Sequence, residues 1–460
     1  MPDVQPLRAL HYDLSLVASL GDVTAPPYDV IDAHQRRALL ERSPYNIVAV
    51  DLPRAWGKQE AEVGTAAGVG PEDGTPAGAG PEGAGQAGMG DEGPGDPYAA
   101  AASLLEQWRL RGVMVRDSQP AIWAHEQQYT GPDGVTRTRR GFFCRVRLEN
   151  YGPGRVRPHE RTHPGPKQDR LRLTRATRAN ISPIFSLYSD PRQRAWSALE
   201  PHTSSPPWGE VTDTENTTHR LWRVTDPQAI AAVRETASGS ELLIADGHHR
   251  YETMHAYARE VGGEGDHNYI LMCLVALEDP GLTVFPTHRL IGNLDEDRRV
   301  ALRETLQRDF DIREVSDADI APAPQGERAE GVLELGYIDS RENRPLRLTL
   351  KEQSIADAAL EGHSEAYRHL DTGVLEALLL KGPLRLTDED ISHLNGLFYA
   401  RSTAEALALV RQGTYDAAFF MRPTPVSQVR DVAAAGENMP PKSTFFHPKL
   451  LTGLLLNPLA

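Results

Sequence analysis

Residues 241–252 read Glu-Leu-Leu-Ile-Ala-Asp-Gly-His-His-Arg-Tyr-Glu. The run Leu242 to Ala245 is short, apolar and continuous, the pattern of a buried strand, and Asp246-Gly247 ends it at once. A helical stretch follows to about residue 260. A strand that opens directly into a helix leaves the first helical N–H groups without partners, and the helix dipole favours an anion in front of them. Gly247 permits close backbone approach. His248, His249 and Arg250 place further donors at the same point, and Arg250 can grip phosphate or carboxylate with two parallel N–H groups. The plainer alternative is a capped helix with incidental histidines. Zinc suits the pair poorly, because adjacent histidines point in different directions on a helix, and no metal site is assigned.

A second dense segment is Pro158-His-Glu-Arg-Thr-His-Pro-Gly-Pro-Lys167, followed by Asp169 and Arg170. Proline and glycine here predict a loop rather than a regular helix. His159, Glu160, Arg161 and Lys167 on a constrained loop suit acid–base work and anion clamping; a solvated charged loop is the alternative. Thr24-Ala-Pro-Pro-Tyr-Asp-Val-Ile31 predicts a rigid turn presenting Tyr28 and Asp29, or simply the cap of a helix over about 33–41. The C-terminal Met439-Pro-Pro-Lys-Ser-Thr-Phe-Phe-His-Pro-Lys449 sets Lys442, Ser443 and Thr444 where an anion could bind, with Phe445 and Phe446 expected in the core.

Around these segments strands and helices mix. Residues 121–129 and 139–147 alternate about Gly131-Pro-Asp-Gly134, a hairpin pattern. Residues 267–277 read as a buried strand, 298–309 and 353–361 as helices, and 331–350 as another hairpin. Asp96 and Pro97 form a helix start, with Ala101, Leu104, Leu105 and Trp108 on one face. The expected class is α+β or mixed α/β. Residues 1–56 and 97–460 are expected to form a single α/β unit, or two subdomains within it. Residues 57–96 carry 13 of the 39 glycines, four prolines and no apolar periodicity, and are expected to be a disordered low-complexity insertion.

The chain of 460 residues carries 49 basic and 64 acidic side chains, a net charge of −15. Setting residues 57–96 aside leaves 48 against 56. An acidic balance argues against broad duplex-DNA binding, which needs many phosphate-neutralising cations. Two cysteines exclude a disulfide framework or a Cys-rich zinc site. No apolar run approaches the roughly 18 residues that span a bilayer, and no signal-peptide pattern opens the chain. The expectation is a soluble cytoplasmic protein with a small-molecule partner and no nucleic acid or membrane. Nucleophile elbow, Walker loop, dinucleotide fingerprint and His-Glu-x-x-His motifs are all missing.

Taken together, Val23 to Ile31, Ser43-Pro-Tyr-Asn46, Pro158 to Thr162, Ala179-Asn-Ile-Ser-Pro-Ile-Phe185, Ala245 to Glu252 and Met439 to Leu451 resemble the bacterial and archaeal domain-of-unknown-function family 1015. The Asp-Gly-His-His-Arg box is also similar to that of the ParB/sulfiredoxin superfamily, where a strand–loop–helix binds nucleotide phosphates. That superfamily includes chromosome-partitioning proteins, sulfiredoxins and free-serine kinases. The resemblance implies a ParB/sulfiredoxin-like element with further family-specific α/β parts. It also implies phosphoryl transfer to or from a serine- or phosphoserine-like hydroxyl, as in a serine-kinase-like phosphotransferase or a phosphoserine phosphatase. ATP or ADP and Mg2+ would be the cofactors. Carried over by position, Asp246 to Arg250 form the phosphate-binding element. The family does not give the base, for which chemistry offers Glu160 or Asp29, and Glu160, Asp246 and His248 are taken as the catalytic set. Gly247, His249, Arg250, His159, Arg161 and Lys167 bind phosphate or substrate. A ParB-like nucleotide-sensing or DNA-associated regulator and a metal-dependent hydrolase are the alternatives.

Overall fold

A computed structural model describes residues 2–54, 95–150, 155–160, 164–324 and 333–459. The glycine-rich 57–96 segment lies outside them except for Gly95 and Asp96, as do Arg161 and His163. The described residues form a mixed α/β structure built on two large sheets.

The larger sheet has nine strands. Across it run Val156–Arg157, Leu242–Asp246, Ile184–Tyr188, Tyr269–Ala276, Thr136–Arg147, Ile122–Thr130, Thr218–Val224 and Gly209–Thr212, with Val4–Gln5 beside the far end of Thr136–Arg147. The 122–130 and 136–147 strands pair antiparallel as the hairpin pattern predicts. The 242–246 strand runs antiparallel to 184–188, and 184–188 runs parallel to 269–276.

Period-two alternation sorts the side chains of this sheet between two cores. Leu242 and Ile244 face Tyr251, Met254, Val233 and Ala237 from the helices His248–Val261 and Pro227–Ser238. Leu243 and Ala245 face the opposite core with Phe185, Leu271, Cys273, Phe446 and Leu450. That second face is covered in part by the C-terminal segment. A further helix, Pro164–Thr177, packs beside the 248–261 helix.

This last helix corrects the loop expected across Pro164 to Lys167. Proline is tolerated in the first turn, where its missing N–H has no intrahelical partner to lose. The helix over Pro97–Leu110 starts as predicted, with Asp96 accepting from the Tyr98 N–H at 3.0 Å.

The second sheet has six antiparallel strands in the order Phe310–Glu314, Leu346–Leu350, Glu334–Asp339, Ala417–Phe420, His288–Ile291 and Leu397–Ala400. A two-stranded ribbon links the regions: Thr283–Phe285 pairs with Phe445–His447. Among the described residues no helix is long and apolar enough to cross a membrane.

Candidate functional site

The 242–246 strand and 248–261 helix join through Gly247 at φ 101° and ψ 25°, the left-handed region. A side chain there would be strained, and a Cβ would lie 3.2 Å from the Arg250 guanidinium. Gly247, at the N-cap, has no side chain with which to cap the helix. The helix's first turn therefore points uncapped N–H groups at the space beyond the strand end.

Into that space comes the 158–160 segment. The His159 N–H donates to Nε2 of His248 at 3.3 Å, across 89 residues of sequence. The two rings meet edge to face at 4.7 Å between centroids. Nδ1 of His159 lies 2.7 Å from the carbonyl oxygen of Ile244, and Nε2 lies 2.9 Å from the hydroxyl of Thr444. A carbonyl can only accept, so the His159 proton sits on Nδ1, and Nε2 of the neutral ring accepts from Thr444. By the same logic Nε2 of His248 is an acceptor, which leaves its proton on Nδ1. Burial pushes both rings down, His248 to about 3 with His159 adding to the effect. Both are neutral at physiological pH.

Glu160 bridges in parallel register to Met439, and its Oε1 accepts from the Lys442 N–H at 3.2 Å. Burial would raise its carboxyl, but the groups facing it, the Lys442 ammonium and that N–H among them, hold it below the usual range. No lysine or arginine among the described residues pairs with Glu160 within 4 Å, and Lys442 forms no ion pair there either.

Asp246 is differently placed. One oxygen accepts from Nη2 of Arg250 at 2.6 Å, and the other from Nζ of Lys449. Burial alone would raise this carboxyl; Lys449 and Arg250 override it and hold it far below the usual range. Nη1 of Arg250 donates to the carbonyl oxygen of Pro183. The fork expected to grip a phosphate is thus divided between Asp246, at the end of the strand four residues back, and the Pro183 carbonyl.

Lys167 stands on the 164–177 helix and binds Glu252 at 2.8 Å, on the flank of the 248–261 helix. His249 is half-buried in the first helical turn. Arg161 lies outside the described residues. Asp29 is exposed on the short turn Tyr28–Val30, whereas Tyr28 is buried with the Arg170 guanidinium 4.2 Å from its ring centre.

Two participants, Lys449 and Asp51, went unassigned in the sequence, whereas Thr444 was read as a residue where an anion could bind. Thr444 and Lys449 reach His159 and Asp246 from the C-terminus, and only the scarcity of lysine, six in the chain, marks the second. Arg250 lines a cavity of about 40 Å3 with Asp51, Arg170, Asn180, Ser182 and Thr253. There Arg170 donates to Asp51 at 3.1 Å and to Asp169 at 2.5 Å. An acid closing the apolar turn Val48–Asp51 was the available signal. Among the described residues no three His, Cys, Asp or Glu side chains are grouped to hold a metal ion.

The chain belongs to the family described as "Protein of unknown function (DUF1015)", whose profile matches residues 4–67 and 83–372. The unmatched residues 68–82 fall inside the glycine-rich segment. The 439–449 segment lies beyond the matched range, so the resemblance read there is not part of this match. No curated protein matches. Among solved structures, a conserved hypothetical protein from Pyrococcus furiosus is similar at 15% identity and a TM-score of 0.31, covering 64% of this chain and 87% of that one. A free serine kinase in complex with AMP is similar at 13% identity and a TM-score of 0.32, covering 65% and 92%. SbnI with C-terminal truncation from Staphylococcus aureus stands at 11%, 0.29, 65% and 82%.

Proposed function

We propose that this protein binds a phosphate-bearing small molecule at the start of the 248–261 helix and transfers a phosphoryl group to or from a serine-like hydroxyl. One observation carries the reading: the 158–160 and 246–250 segments meet in front of an uncapped helix start, through the His159–His248 hydrogen bond. Phosphoryl transfer needs donors that converge on the phosphate and a carboxylate that orients the attacking hydroxyl. The first-turn N–H groups and Lys442 serve the phosphate, and Nδ1–H of neutral His248 is a further donor. Glu160, in no salt bridge within 4 Å among the described residues and held ionised, takes the hydroxyl proton. Asp246, engaged on both oxygens, holds Arg250 and Lys449 in place and is a poor base. Mg2+, when it accompanies a nucleotide, would neutralise phosphate charge, and Glu160 is the carboxylate able to face it.

The test is calorimetric titration with ATP, ADP, AMP, serine and phosphoserine, with and without Mg2+, followed by an assay for serine-dependent ADP formation. Nucleotide binding that is lost in Gly247→Val supports the reading. Saturating amounts of all five compounds without heat or thermal shift would overturn it.

A further inference from the structure

The 439–449 segment cannot satisfy its own backbone. Pro440, Pro441 and Pro448 have no N–H, and only Phe445–His447 lies in a ribbon. Its carbonyl oxygens must therefore find donors elsewhere. The Ser443 hydroxyl donates to that of Pro440, Thr424 to that of Ser443 and Gln127 to that of Lys449, and two buried arginines each hold two more. Nη2 of Arg289 reaches the carbonyls of Pro441 at 3.4 Å and Lys442 at 3.2 Å. Nη1 of Arg139 reaches that of His447 at 3.2 Å, and its Nη2 that of Pro448 at 2.6 Å.

Neither guanidinium has a carboxylate within 4 Å among the described residues, although Arg139 is 1% exposed and Arg289 is 3%. Arg139 is completed by Oε1 of Gln127 at 3.0 Å and lies 4.4 Å over the ring of Phe185. Arg289 lies 5.5 Å over Tyr399. Burying a cation without a counter-charge is costly, and burial lowers the pKa of both side chains. A buried apolar residue would cost less, so the arginines need a reason. A guanidinium offers five donors in a fixed plane, enough to hold two carbonyls and a third group together. Between the two grips the segment delivers the Lys442 N–H to Glu160 and the Thr444 hydroxyl to His159.

We propose that Arg139 and Arg289 are positioning residues: they clamp the two ends of the C-terminal strap by its carbonyl oxygens and thereby set the groups that orient Glu160 and His159. What the strap is positioned for rests on the phosphate-site reading; the clamp does not.

Hydrogen exchange read by mass spectrometry, with ADP affinity measured alongside, tests this in the full chain. In Arg289→Gln, whose amide ends two bonds short of the strap, peptides covering 439–447 should exchange at least tenfold faster while the 269–276 strand is unchanged. ADP affinity should fall at least tenfold. Arg289→Lys keeps the charge and loses the planar fork, so it should resemble Gln more than the wild type. If Lys restores wild-type exchange, the charge alone matters and the clamp is wrong. Exchange within twofold of wild type in Arg289→Gln, or acceleration spread evenly over the chain, would also overturn it. Arg139→Gln should loosen the other end; if it does not fold, Arg139→Lys is judged by the same comparison. A wild-type protein that binds no ADP defeats the phosphate reading, while the exchange data still decide the clamp.

Discussion

The main-chain N–H of His159 and the ring Nε2 of His248 share a hydrogen bond of 3.3 Å. A protonated His248 would have no acceptor to offer there, so this contact and a charged ring exclude each other. His248 is buried and its pKa is pushed down to about 3. Protons therefore bind the unfolded chain more tightly than the folded one between the ordinary histidine value and about 3. Stability contributed this way is complete at neutral pH and lost as pH falls through that window. His248→Asn should remove one proton from the linkage, flattening the fall in unfolding free energy by up to about 1.4 kcal/mol per pH unit. Denaturant titrations of both proteins at pH 7.5, 6 and 5 measure it; parallel slopes would sink the idea.

Asp246 carries the opposite sign. Its pKa is lowered by Lys449 and Arg250 against the burial that opposes them, so its contribution is present above the ordinary carboxyl range and lost as pH falls below it. Asp246→Asn keeps the shape and removes the charge, leaving two cations without their partner. A loss of about 3 kcal/mol is expected at pH 7, the scale for breaking a largely buried pair. Equilibrium urea unfolding reads it directly. A change below about 1 kcal/mol would mean that solvent screens the pair.

Gly247→Ala tests the turn. The left-handed φ alone should cost about 1–2 kcal/mol. The new methyl at 3.2 Å also presses on the Arg250 guanidinium. The variant should melt several degrees lower. Gly134, at φ 75°, has open space where a Cβ would go, so Gly134→Ala provides the comparison for positive-φ strain without the contact.

Deleting residues 68–82, the part that the family profile passes over, should leave the melting temperature within about 2 °C of wild type. The stretch has glycine and proline in place of apolar periodicity. A drop of ten degrees would show that it packs against the fold. Differential scanning calorimetry on the two proteins decides.

Much of the local structure was legible because it depends on neighbours in sequence. The apolar run at Leu242 to Ala245 with Gly247 behind it, the hairpin about Gly131 to Gly134, and the Asp96 cap each rest on preferences acting within a few residues. Pro164 to Lys167 went the other way, because a proline reads as a break unless the helix is known to start there.

The sequence alone determined where many of the strands and helices begin, the mixed α/β class and which short segments carry dense chemistry. It also marked Arg250 as an anion fork, and tertiary structure turned that fork onto Asp246. Only the folded chain decided that His159 meets His248, and that Thr444 and Lys449 complete the cluster from 285 and 203 residues away. Arg139 takes hold of carbonyls more than 300 residues on. The physical reason is that a side chain's partner is chosen by packing. Period and propensity describe one element at a time, whereas a buried donor is satisfied by whatever acceptor the close-packed neighbour brings within about 3 Å.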